Sequence, residues 1–598
     1  MPESDELNLI REKWEAAWPG ALAAWSKFTR LRSPLLCLTV KEARKEGLAG
    51  SFAMIRLVDQ AVVISLPEAL ACNVQEFALE ILAHEIGHHV LAPATLTDHA
   101  RMIARMRWAL PTVEHHVSMV ANLYTDILIN DRLQRSAGLP MAAVFKAMKT
   151  AGTGGGAVWA LYLRIYELLW GLQRGELGGG STDDRLEGDA WLGTRLVRSY
   201  SRDWLDGSGR FAALLLPHLL EDKKSEALIQ RLLDTKHAAA GGDPAGLCEA
   251  EAGEREGAIH PAQDPELADL PVEAEENVTL PQEVAQPRTS QGQARQPFEY
   301  GEILRSAGLV LSDHDIAVRY YREMARPHLI PFPSRPLPRS TDPLPEGLEP
   351  WDIGHPLESV DWLQSIQQSP IIVPGMTTVQ RVWGTTESRS DKAEPLDLDL
   401  YVDSSGSMEN PQQRLSFPAL AGAIICLSAL RAGARVQATL WSGKNQFLCT
   451  GGFIRDEERI LRVLTGYFGG GTAFPIHLLR DTFATRPAEA RPAHILVISD
   501  DGVSTMFDPD EQANSGWEVA ATALRKARGG GTLVLNLPEN WRSFTTAASP
   551  YAVIAKAESD QGWQVHRVAS WDDLVAFARD FSRLRYGGGG AEKRRKAS

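Results

Sequence analysis

A His-Glu-x-x-His pattern within the first hundred residues has the residue types and spacing of a zinc site. Residues four apart share one face of a helix, so His84 and His88 can hold one ion through their imidazole nitrogens. Glu85 lies beside them, where a carboxylate can act as general base toward a water molecule. The alternative is a pair of surface histidines without a ligand. The pattern predicts a hydrolytic zinc centre.

A zinc site of this kind needs a third protein ligand, and several downstream residues qualify. We favour Asp126, because Asn122, Asp126 and Asn130 recur every four residues as a polar stripe on an otherwise apolar helix. In that arrangement Asp126 binds the ion, and Asn130 or Asn122 supports the site through a hydrogen bond. The alternative is a hydrogen-bond network that only packs two helices together. The other candidate ligands are His99, Glu114, His115 and His116.

A second group of residues, in the C-terminal third of the chain, offers only oxygen atoms. Asp403, Ser405 and Ser407 follow a buried-strand pattern and place one carboxylate and two hydroxyls on a single turn. Thr472 follows a run of glycines, and Asp500 ends a further apolar strand. In open α/β sheets, ligands gather at the carboxyl ends of the strands. Hard oxygen ligands suit Mg²⁺, Ca²⁺ or Mn²⁺, and not zinc.

These five oxygen-bearing residues resemble the metal-ion-dependent adhesion site of von Willebrand factor A (VWA) domains. The pattern in that family is Asp-x-Ser-x-Ser, then a Thr, then an Asp in a turn that ends in Gly, and all three parts occur here in order. The one departure is Asp501, an extra acid beside Asp500, so either carboxylate is a candidate for the last ligand. The resemblance implies a site that binds a protein ligand, whose own carboxylate completes the coordination, and that does not catalyse.

The elements that must position these residues differ between the two ends of the chain. Residues 1–235 have mostly helical patterns, with one strand candidate at 61–66. The His-Glu-x-x-His helix resembles that of zincins, and this resemblance implies that the preceding strand lines the substrate cleft. Residues 395–585 alternate strand and helix patterns, which predicts a mainly parallel sheet covered on both faces. The expected fold class is multidomain, with a mainly α, zincin-like N-terminal domain and a C-terminal α/β, Rossmann-like VWA domain. The strands of the second domain are predicted at 396–403, 435–441, 493–499, 532–537 and 563–568.

Composition divides the chain further. Residues 238–296 are rich in Ala, Gly, Pro, Glu and Gln and nearly lack aromatic residues, so they predict a disordered linker. The linker is acidic, because residues 241–287 hold twelve Asp and Glu against one Arg, a net −11 of the chain's −14. The predicted organisation is a zincin-like metallopeptidase domain (1–237), the acidic linker (238–296), an extended Pro-rich connector with a helix at 313–325 (297–394), a VWA domain (395–586) and a flexible basic tail (587–598).

Composition and motifs also exclude several classes of protein. No run approaches the 18 or so apolar residues that a membrane span needs, and we expect no secretory signal in the acidic N-terminal residues. The five cysteines include no Cys-x-x-Cys pair, which suits a reducing cytoplasm. The short basic run at 593–596 does not predict direct binding of nucleic acid. The chain lacks G-x-x-x-x-G-K-[ST], so it is not itself a P-loop ATPase.

Taken together, the His-Glu-x-x-His helix, the helix with Asp126 and the C-terminal oxygen site resemble a bacterial family of metallopeptidases fused to VWA domains. The resemblance implies a partner, because such proteins are encoded beside MoxR-type AAA+ ATPases, some of them in defence operons. We expect a cytoplasmic zinc-dependent protease whose VWA domain binds the ATPase or the protein substrate through Mg²⁺ or another divalent cation, in antiviral defence. The alternative is a non-catalytic adaptor of the ATPase, with a structural or vestigial zinc site. Glu85 favours the enzyme, since a structural zinc site has no use for it.

Overall fold

The computed structural model divides the chain into two compact units, Met1–Ile316 and Ala317–Ser598. The first unit is mainly helical and the second is built on a six-stranded sheet, as the coarse fold class predicts. The predicted basic tail, 587–598, lies outside the described residues. The structure describes residues 2–26, 29–48, 51–56, 59–149, 156–178, 183–222, 244–268, 294–329, 343–385, 395–487, 489–544, 546 and 549–586.

The first unit surrounds a small sheet with helices. Its strands are β1 (Leu35–Cys37), β2 (Ala53–Arg56) and β3 (Ala61–Ser65), in the order β1-β3-β2, with β1 parallel and β2 antiparallel to β3. Its helices are α1 (Pro2–Trp25), α2 (Val40–Lys45), α3 (Leu66–Ala71), α4 (Ala78–Val90), α5 (Leu96–Ala109), α6 (Val117–Arg135), α7 (Met141–Lys149), α8 (Ala157–Leu169), α9 (Asp184–Ser199), α10 (Trp204–Glu221), α11 (Ala252–Glu256), α12 (Pro265–Ala268) and α13 (Pro297–Ser306).

The strand predicted at 61–66 is present as β3, but its place in the sheet differs from the prediction. Both edges of β3 are hydrogen-bonded to neighbouring strands, so β3 has no edge with which to line a cleft. One edge strand is β2, and Ser51, Phe52 and Ala53 at its start line a cavity together with His84 and Glu85. Sequence patterns indicate strands but do not give their order in a sheet. The prediction therefore assigned the lining of the cleft to β3.

Helix α4 carries the His-Glu-x-x-His pattern and lies in the core of the first unit. The indole Nε1 of Trp25, in α1, donates a hydrogen bond to the carbonyl oxygen of Ala83 at 2.7 Å. On the other side α6 approaches so closely that a Cβ on Gly87 would lie 2.5 Å from Cγ2 of Ile129. Helix α4 is therefore held between α1 and α6, and the missing side chain of Gly87 allows the close approach of α6.

Residues 244–268 lie within the predicted disordered linker, but the structure packs them against the helices of the first unit. Asp264 is 1% exposed and accepts hydrogen bonds from the Tyr200 hydroxyl at 2.7 Å and from Arg210 Nε at 2.6 Å. These buried polar contacts anchor a segment that is poor in apolar residues. A prediction from composition counts apolar residues and misses such contacts. The rest of the predicted linker lies almost wholly outside the described residues.

The predicted Pro-rich connector also contains regular structure. Helix α14 (Asp313–Ala325) was predicted, and it contains the boundary between the two units. Strands β4 (Pro343–Pro350) and β5 (Val379–Thr385) pair antiparallel, and α15 (Trp362–Gln368) lies between them in the chain. Residues 343–385 thus form a small folded element and not only an extended chain. Three prolines and one glycine within β4 make its sequence atypical of a strand, so the pattern did not predict it.

The second unit is built on a mainly parallel sheet in the order β11-β10-β9-β6-β7-β8, in which only β8 runs antiparallel to its neighbour. Five of the six strands were predicted, with ends that differ by up to four residues, and the three-residue β8 was not. The strands are β6 (Asp397–Asp403), β7 (Val436–Trp441), β8 (Phe447–Cys449), β9 (Ala493–Ser499), β10 (Arg528–Asn536) and β11 (Gln564–Val568). The helices are α16 (Phe417–Arg431), α17 (Glu457–Leu464), α18 (Ile476–Ala484), α19 (Gly516–Ala527), α20 (Pro550–Gln561) and α21 (Trp571–Tyr586).

Side chains of β9 alternate between the two faces of this sheet, and helices cover both faces. Ile495 and Val497 belong to the buried cluster that includes residues of α18, α19 and α20. His494 points the other way, and its ring lies 5.1 Å from that of Phe581 in α21. The parallel neighbours β6 and β9 end at the same edge, which brings the predicted oxygen ligands together. Within the described residues, no helix is long and apolar enough to cross a membrane.

Candidate metal centres

His84 and His88 are each held in one orientation by a hydrogen bond from Nδ1. His84 Nδ1 lies 2.7 Å from Oδ1 of Asn130, and His88 Nδ1 lies 3.1 Å from the carbonyl oxygen of Ala92. A carbonyl oxygen only accepts, so each Nδ1 carries a proton and Nε2 is the nitrogen left to bind a metal ion. The two Nε2 atoms face each other at 3.3 Å. This is the tautomer that a metal ion requires when Nε2 is the ligand atom.

Asp126 completes the group from α6. Its Oδ1 lies 3.4 Å from Nε2 of His88 and 3.8 Å from Nε2 of His84. A zinc ion held tetrahedrally at about 2.0–2.1 Å from each ligand sets neighbouring ligand atoms about 3.3 Å apart. The observed separations of 3.3, 3.4 and 3.8 Å are close to that value. Among the described residues, these three form the one group of His, Cys, Asp or Glu arranged to hold a metal ion.

The polar stripe on α6 supports the group. Asn122 Nδ2 donates to the second carboxylate oxygen of Asp126 at 2.9 Å. Asn130 Nδ2 donates to the hydroxyl of Tyr166 at 2.9 Å, which leaves its Oδ1 for the imidazole. The hydroxyls of Tyr166 and Tyr162 are also 2.9 Å apart. Both predicted supporting residues therefore contact the group, Asn122 through the carboxylate and Asn130 through His84.

The other predicted candidates for the third ligand do not join this group. Glu114, His115 and His116 form a short 3₁₀ turn before α6, where Glu114 pairs with Arg107 at 2.7 Å. The rings of His115 and His116 contact each other with centroids 4.0 Å apart. His99 is buried in α5, and burial lowers its pKa to about 4, so it is neutral. Asp126 is the candidate that the structure brings to the two histidines.

Glu85 lies beside the group and is 1% exposed. It lines a cavity of about 80 Å³ together with His84, Asp126 and Asn130. A cavity of that size holds several water molecules. The site thus combines three potential ligands, one further carboxylate and space for water.

The second centre begins at the end of β6. Asp403 accepts a hydrogen bond from the backbone N–H of Ser405 at 2.8 Å and another from the Ser499 hydroxyl at 2.6 Å. The hydroxyls of Ser405 and Ser407 are 3.1 Å apart, and Ser407 donates to Asp500 at 2.9 Å. Oxygen atoms from the ends of β6 and β9 therefore form one continuous cluster. Four of the five predicted ligands lie in it.

The structure distinguishes Asp500 from Asp501. The carboxylate of Asp500 accepts from Ser407 and from the backbone N–H of Gly502, the latter at 2.9 Å. Asp501 instead lies beside Tyr551, whose pKa is raised by burial and by the charge of Asp501. Burial also raises the pKa of Asp403, and the nearby charge of Asp500 adds to the shift. Asp500 is therefore the carboxylate that shares the cluster, and a cation there would offset the repulsion.

Thr472 reaches the same edge of the sheet through the loop 468–473. The backbone N–H of Gly469 donates to the carbonyl oxygen of Ser404 at 3.0 Å, which ties the loop to the end of β6. The Thr472 side chain packs against the turn after β9, where a Cβ on Gly502 would lie 2.4 Å from its Cγ2. The fifth predicted ligand thus lies next to the oxygen cluster.

Sequence reasoning missed several residues that support the two centres. The carbonyl of Ala92 and the hydroxyl of Tyr166 come from parts of the chain that no motif connects to the histidines. Ser499 was more accessible to prediction, because it directly precedes Asp500 and ends an otherwise apolar strand. Ser404 lies inside the predicted Asp-x-Ser-x-Ser turn. Its hydroxyl accepts a hydrogen bond from the N–H of Phe468 at 3.0 Å and so contacts the neighbouring loop.

Comparisons with known proteins provide no family for this chain. No protein-family model matches it, and no curated protein matches it. Among solved structures, the crystal structure of the pilus adhesin SpaC from Lactobacillus rhamnosus GG matches with 12% sequence identity and a TM-score of 0.24. The match covers 32% of this chain and 31% of the adhesin. A likeness of that size supports no conclusion about fold or function.

Proposed function

We propose that the first unit is a zinc-dependent peptidase of the zincin kind, in which His84, His88 and Asp126 hold the ion. The observation that carries this proposal is the convergence of two histidine Nε2 atoms and one carboxylate oxygen within 3.3–3.8 Å. Three protein ligands leave one coordination position for water or substrate, as in catalytic zinc sites. The adjoining cavity offers space for both.

Glu85 supports catalysis over a purely structural zinc site. It lines the cavity but is not a member of the ligand group. Zinc bound there supplies polarisation of a peptide carbonyl and lowers the pKa of water to about 7. Glu85 takes the proton of the attacking water and delivers it to the leaving amine. Asn130 keeps His84 in the Nδ1–H tautomer throughout, so Nε2 stays available as a ligand.

The start of β2 is the part of that strand that lies at the proposed site. Ser51, Phe52 and Ala53 line the zinc cavity, whereas Met54 and Ile55 are at most 2% exposed. A peptide that passes Glu85 would therefore meet Phe52, which is partly exposed.

The proposal is tested by replacing Glu85 without removing a ligand. Glu85→Gln should keep its zinc and lose cleavage of denatured casein by about 10²-fold or more, because the general base is gone. Glu80→Gln is the matched control, since Glu80 lies on the same helix and outside the cavity lining. Cleavage that persists in zinc-loaded Glu85→Gln would contradict the assignment. Zinc-loaded wild-type protein that cleaves nothing would favour the non-catalytic adaptor.

We infer a second function for the second unit, which is to bind a protein partner through a divalent cation as a VWA domain does. The cluster of Asp403, Ser405, Ser407 and Asp500 at one sheet edge supports this inference, with Thr472 beside it. It offers few charged ligands, so an Asp or Glu from a partner can complete the coordination of Mg²⁺.

The identity of the partner is drawn from the family resemblance alone. The resemblance indicates a MoxR-type AAA+ ATPase as the partner and the protein substrate as a further ligand. It also indicates a role in antiviral defence. A cytoplasmic location agrees with the thiol chemistry, since none of the five cysteines forms a disulfide.

Replacing one of two adjacent acids tests the cation site of the second unit. Asp500→Ala should weaken Mg²⁺ binding by about tenfold or more, because the site loses one of its few carboxylates. Asp501→Ala is the control and should bind Mg²⁺ as the unaltered protein does, since Asp501 faces Tyr551. Isothermal titration calorimetry with MgCl₂ measures both. Equal losses in the two variants would contradict the assignment of Asp500.

A further inference from the structure

The cavity at the proposed zinc site has two unlike halves. One half carries the polar residues of the metal group and Glu85. The other half is apolar and comes mainly from α7, which contributes side chains at spacing i, i+3, i+4 and i+7, one face of a helix. These residues are Met141, Val144, Phe145 and Met148.

Two further elements close the apolar half. Trp159 and Tyr162 come from α8, one turn apart, and Phe52 comes from the start of β2. The carboxylates and the imidazole among the residues that line the cavity are all at the metal end, and no Lys or Arg lines it. A ligand that enters from the metal therefore meets aromatic and aliphatic walls.

An apolar stripe on a helix usually packs into a core, and part of this one does. Met141 and Val144 belong to the buried cluster that includes α4 and β2. The same two residues also line the cavity of about 80 Å³, so the stripe is not fully covered by protein. Core packing does not explain why open apolar space lies directly beside the candidate ligands His84 and Asp126.

We propose that this apolar half binds a large apolar side chain, of the Leu, Met or Phe class, from the residue next to the bond that is cleaved. The proposal rests on the proposed peptidase function and names the substrate class of that site. Burial of an apolar side chain there is favourable. A charged side chain would lose its hydration against apolar walls, and an acidic one would also meet Glu85.

Amino-acid hydroxamates test the proposal without relying on turnover, because the hydroxamate group binds zinc and the side chain probes the cavity. With the zinc-loaded full-length protein, leucine and phenylalanine hydroxamates should bind about tenfold or more tightly than aspartate hydroxamate or acetohydroxamate. Each hydroxamate competes with a chromophore that binds the zinc of the loaded protein, and displacement of the chromophore gives the affinity of the hydroxamate. Equal or tighter binding of aspartate hydroxamate or acetohydroxamate would overturn the proposal.

Substitutions in α7 locate the selectivity. Val144→Phe should fill the cavity and abolish the preference for leucine and phenylalanine, with zinc content and acetohydroxamate binding unchanged. Val144→Ala, the matched control, should keep the preference for phenylalanine. If Val144→Phe loses zinc through misfolding, Met148→Phe at the partly exposed end of the stripe replaces it. Undiminished preference in the variant that retains zinc would contradict the assignment.

The pocket and the peptidase function can fail separately. If the zinc-loaded protein prefers apolar hydroxamates but cleaves no casein, the pocket proposal is supported and the peptidase proposal is contradicted. If the protein cleaves casein but shows no side-chain preference among the hydroxamates, the pocket proposal is contradicted and the peptidase proposal is supported. Protein that holds no zinc after purification and zinc addition would contradict both.

Discussion

The proposed zinc centre depends, at the scale of single residues, on which nitrogen of each imidazole carries the proton. Asn130 donates through its amide nitrogen to Tyr166, so its oxygen faces His84 Nδ1. The carbonyl oxygen of Ala92 has the same effect on His88. Both Nε2 atoms thereby face each other at 3.3 Å, with Asp126 Oδ1 within 3.8 Å of each, where one metal ion could be held.

Removing the amide of Asn130 tests this dependence. Asn130→Ala should weaken zinc affinity by about 10- to 100-fold, because His84 loses the acceptor that fixes its tautomer. Thr125→Val is the control, since the Thr125 hydroxyl bonds only to carbonyls of its own helix. Competition with a zinc-binding chromophore gives both affinities. Zinc binding unchanged in Asn130→Ala would mean that the ring needs no such support.

A buried acid away from either centre makes stability depend on pH. Burial raises the pKa of Asp399 to about 7, although Tyr401 and Gln437 donate hydrogen bonds to its carboxylate and the charge of Arg486 opposes the shift. In the unfolded chain the pKa is about 3.9. The folded state therefore binds an extra proton between these values, and stability falls as pH rises from about 4 to 7.

Asp399→Asn should remove that dependence. The variant should gain stability over the unaltered protein as pH rises from 5 to 8, by at most about 4 kcal/mol at the upper end. Urea unfolding followed at several pH values, through the transition of the second unit, gives the difference. Parallel pH profiles for the two proteins would contradict a raised pKa for Asp399.

The proximity of the candidate ligands could be predicted from the sequence, and many of the contacts that position them could not. The spacing of His84 and His88 and the stripe that carries Asp126 have short-range signals. The choice between Asp500 and Asp501 depends on which side chain faces Tyr551, a contact fifty residues away in the chain. The same holds for the acceptor of His88, which depends on the path of the chain after α4.

At the scale of elements, the site depends on the close approach of α4 and α6 at Gly87. A methyl group there would lie 2.5 Å from Ile129 and 2.7 Å from Trp25. Gly87→Ala should therefore lower the free energy of unfolding of the first unit by about 1–3 kcal/mol and weaken zinc binding, because the helices must separate. Urea unfolding and zinc titration measure the two effects.

Gly188→Ala is the control for that substitution. Gly188 also lies inside a helix, but no heavy atom lies within 4 Å of its missing Cβ. Alanine there should raise stability by about 0.5–1 kcal/mol, the usual gain in helix propensity. A stabilising effect of Gly87→Ala, like that of Gly188→Ala, would contradict the close packing of α4 on α6.

Elements with strong periodic patterns were predicted, and those held by long-range contacts were not. The buried strands β6, β7 and β9 and helix α14 have local sequence patterns. The antiparallel pair of β4 and β5 contains prolines and glycines, which weaken its sequence pattern. Residues 244–268 are anchored by polar contacts such as those of Asp264. Sheet order, which places β3 between β1 and β2, follows from tertiary packing alone.

The whole molecule consists of two units, each with its own candidate metal centre. Each ion should therefore stabilise one unit only, because an ion that binds the folded form adds RT ln(1 + [L]/Kd), about 2.7 kcal/mol at a hundredfold excess over Kd. In differential scanning calorimetry of the full chain, zinc should raise one transition and Mg²⁺ the other. A single transition that both ions shift equally would contradict independent units.

Zinc content is the measurement that tests the central claim most directly. Metal analysis of purified, zinc-loaded protein should give one zinc per chain at the first unit, lost in Asp126→Ala. It should be kept in Asp131→Asn, a control on the same helix whose carboxylate pairs with Arg135. Zinc retained in full by Asp126→Ala, or no zinc in the unaltered protein, would contradict a centre formed by His84, His88 and Asp126.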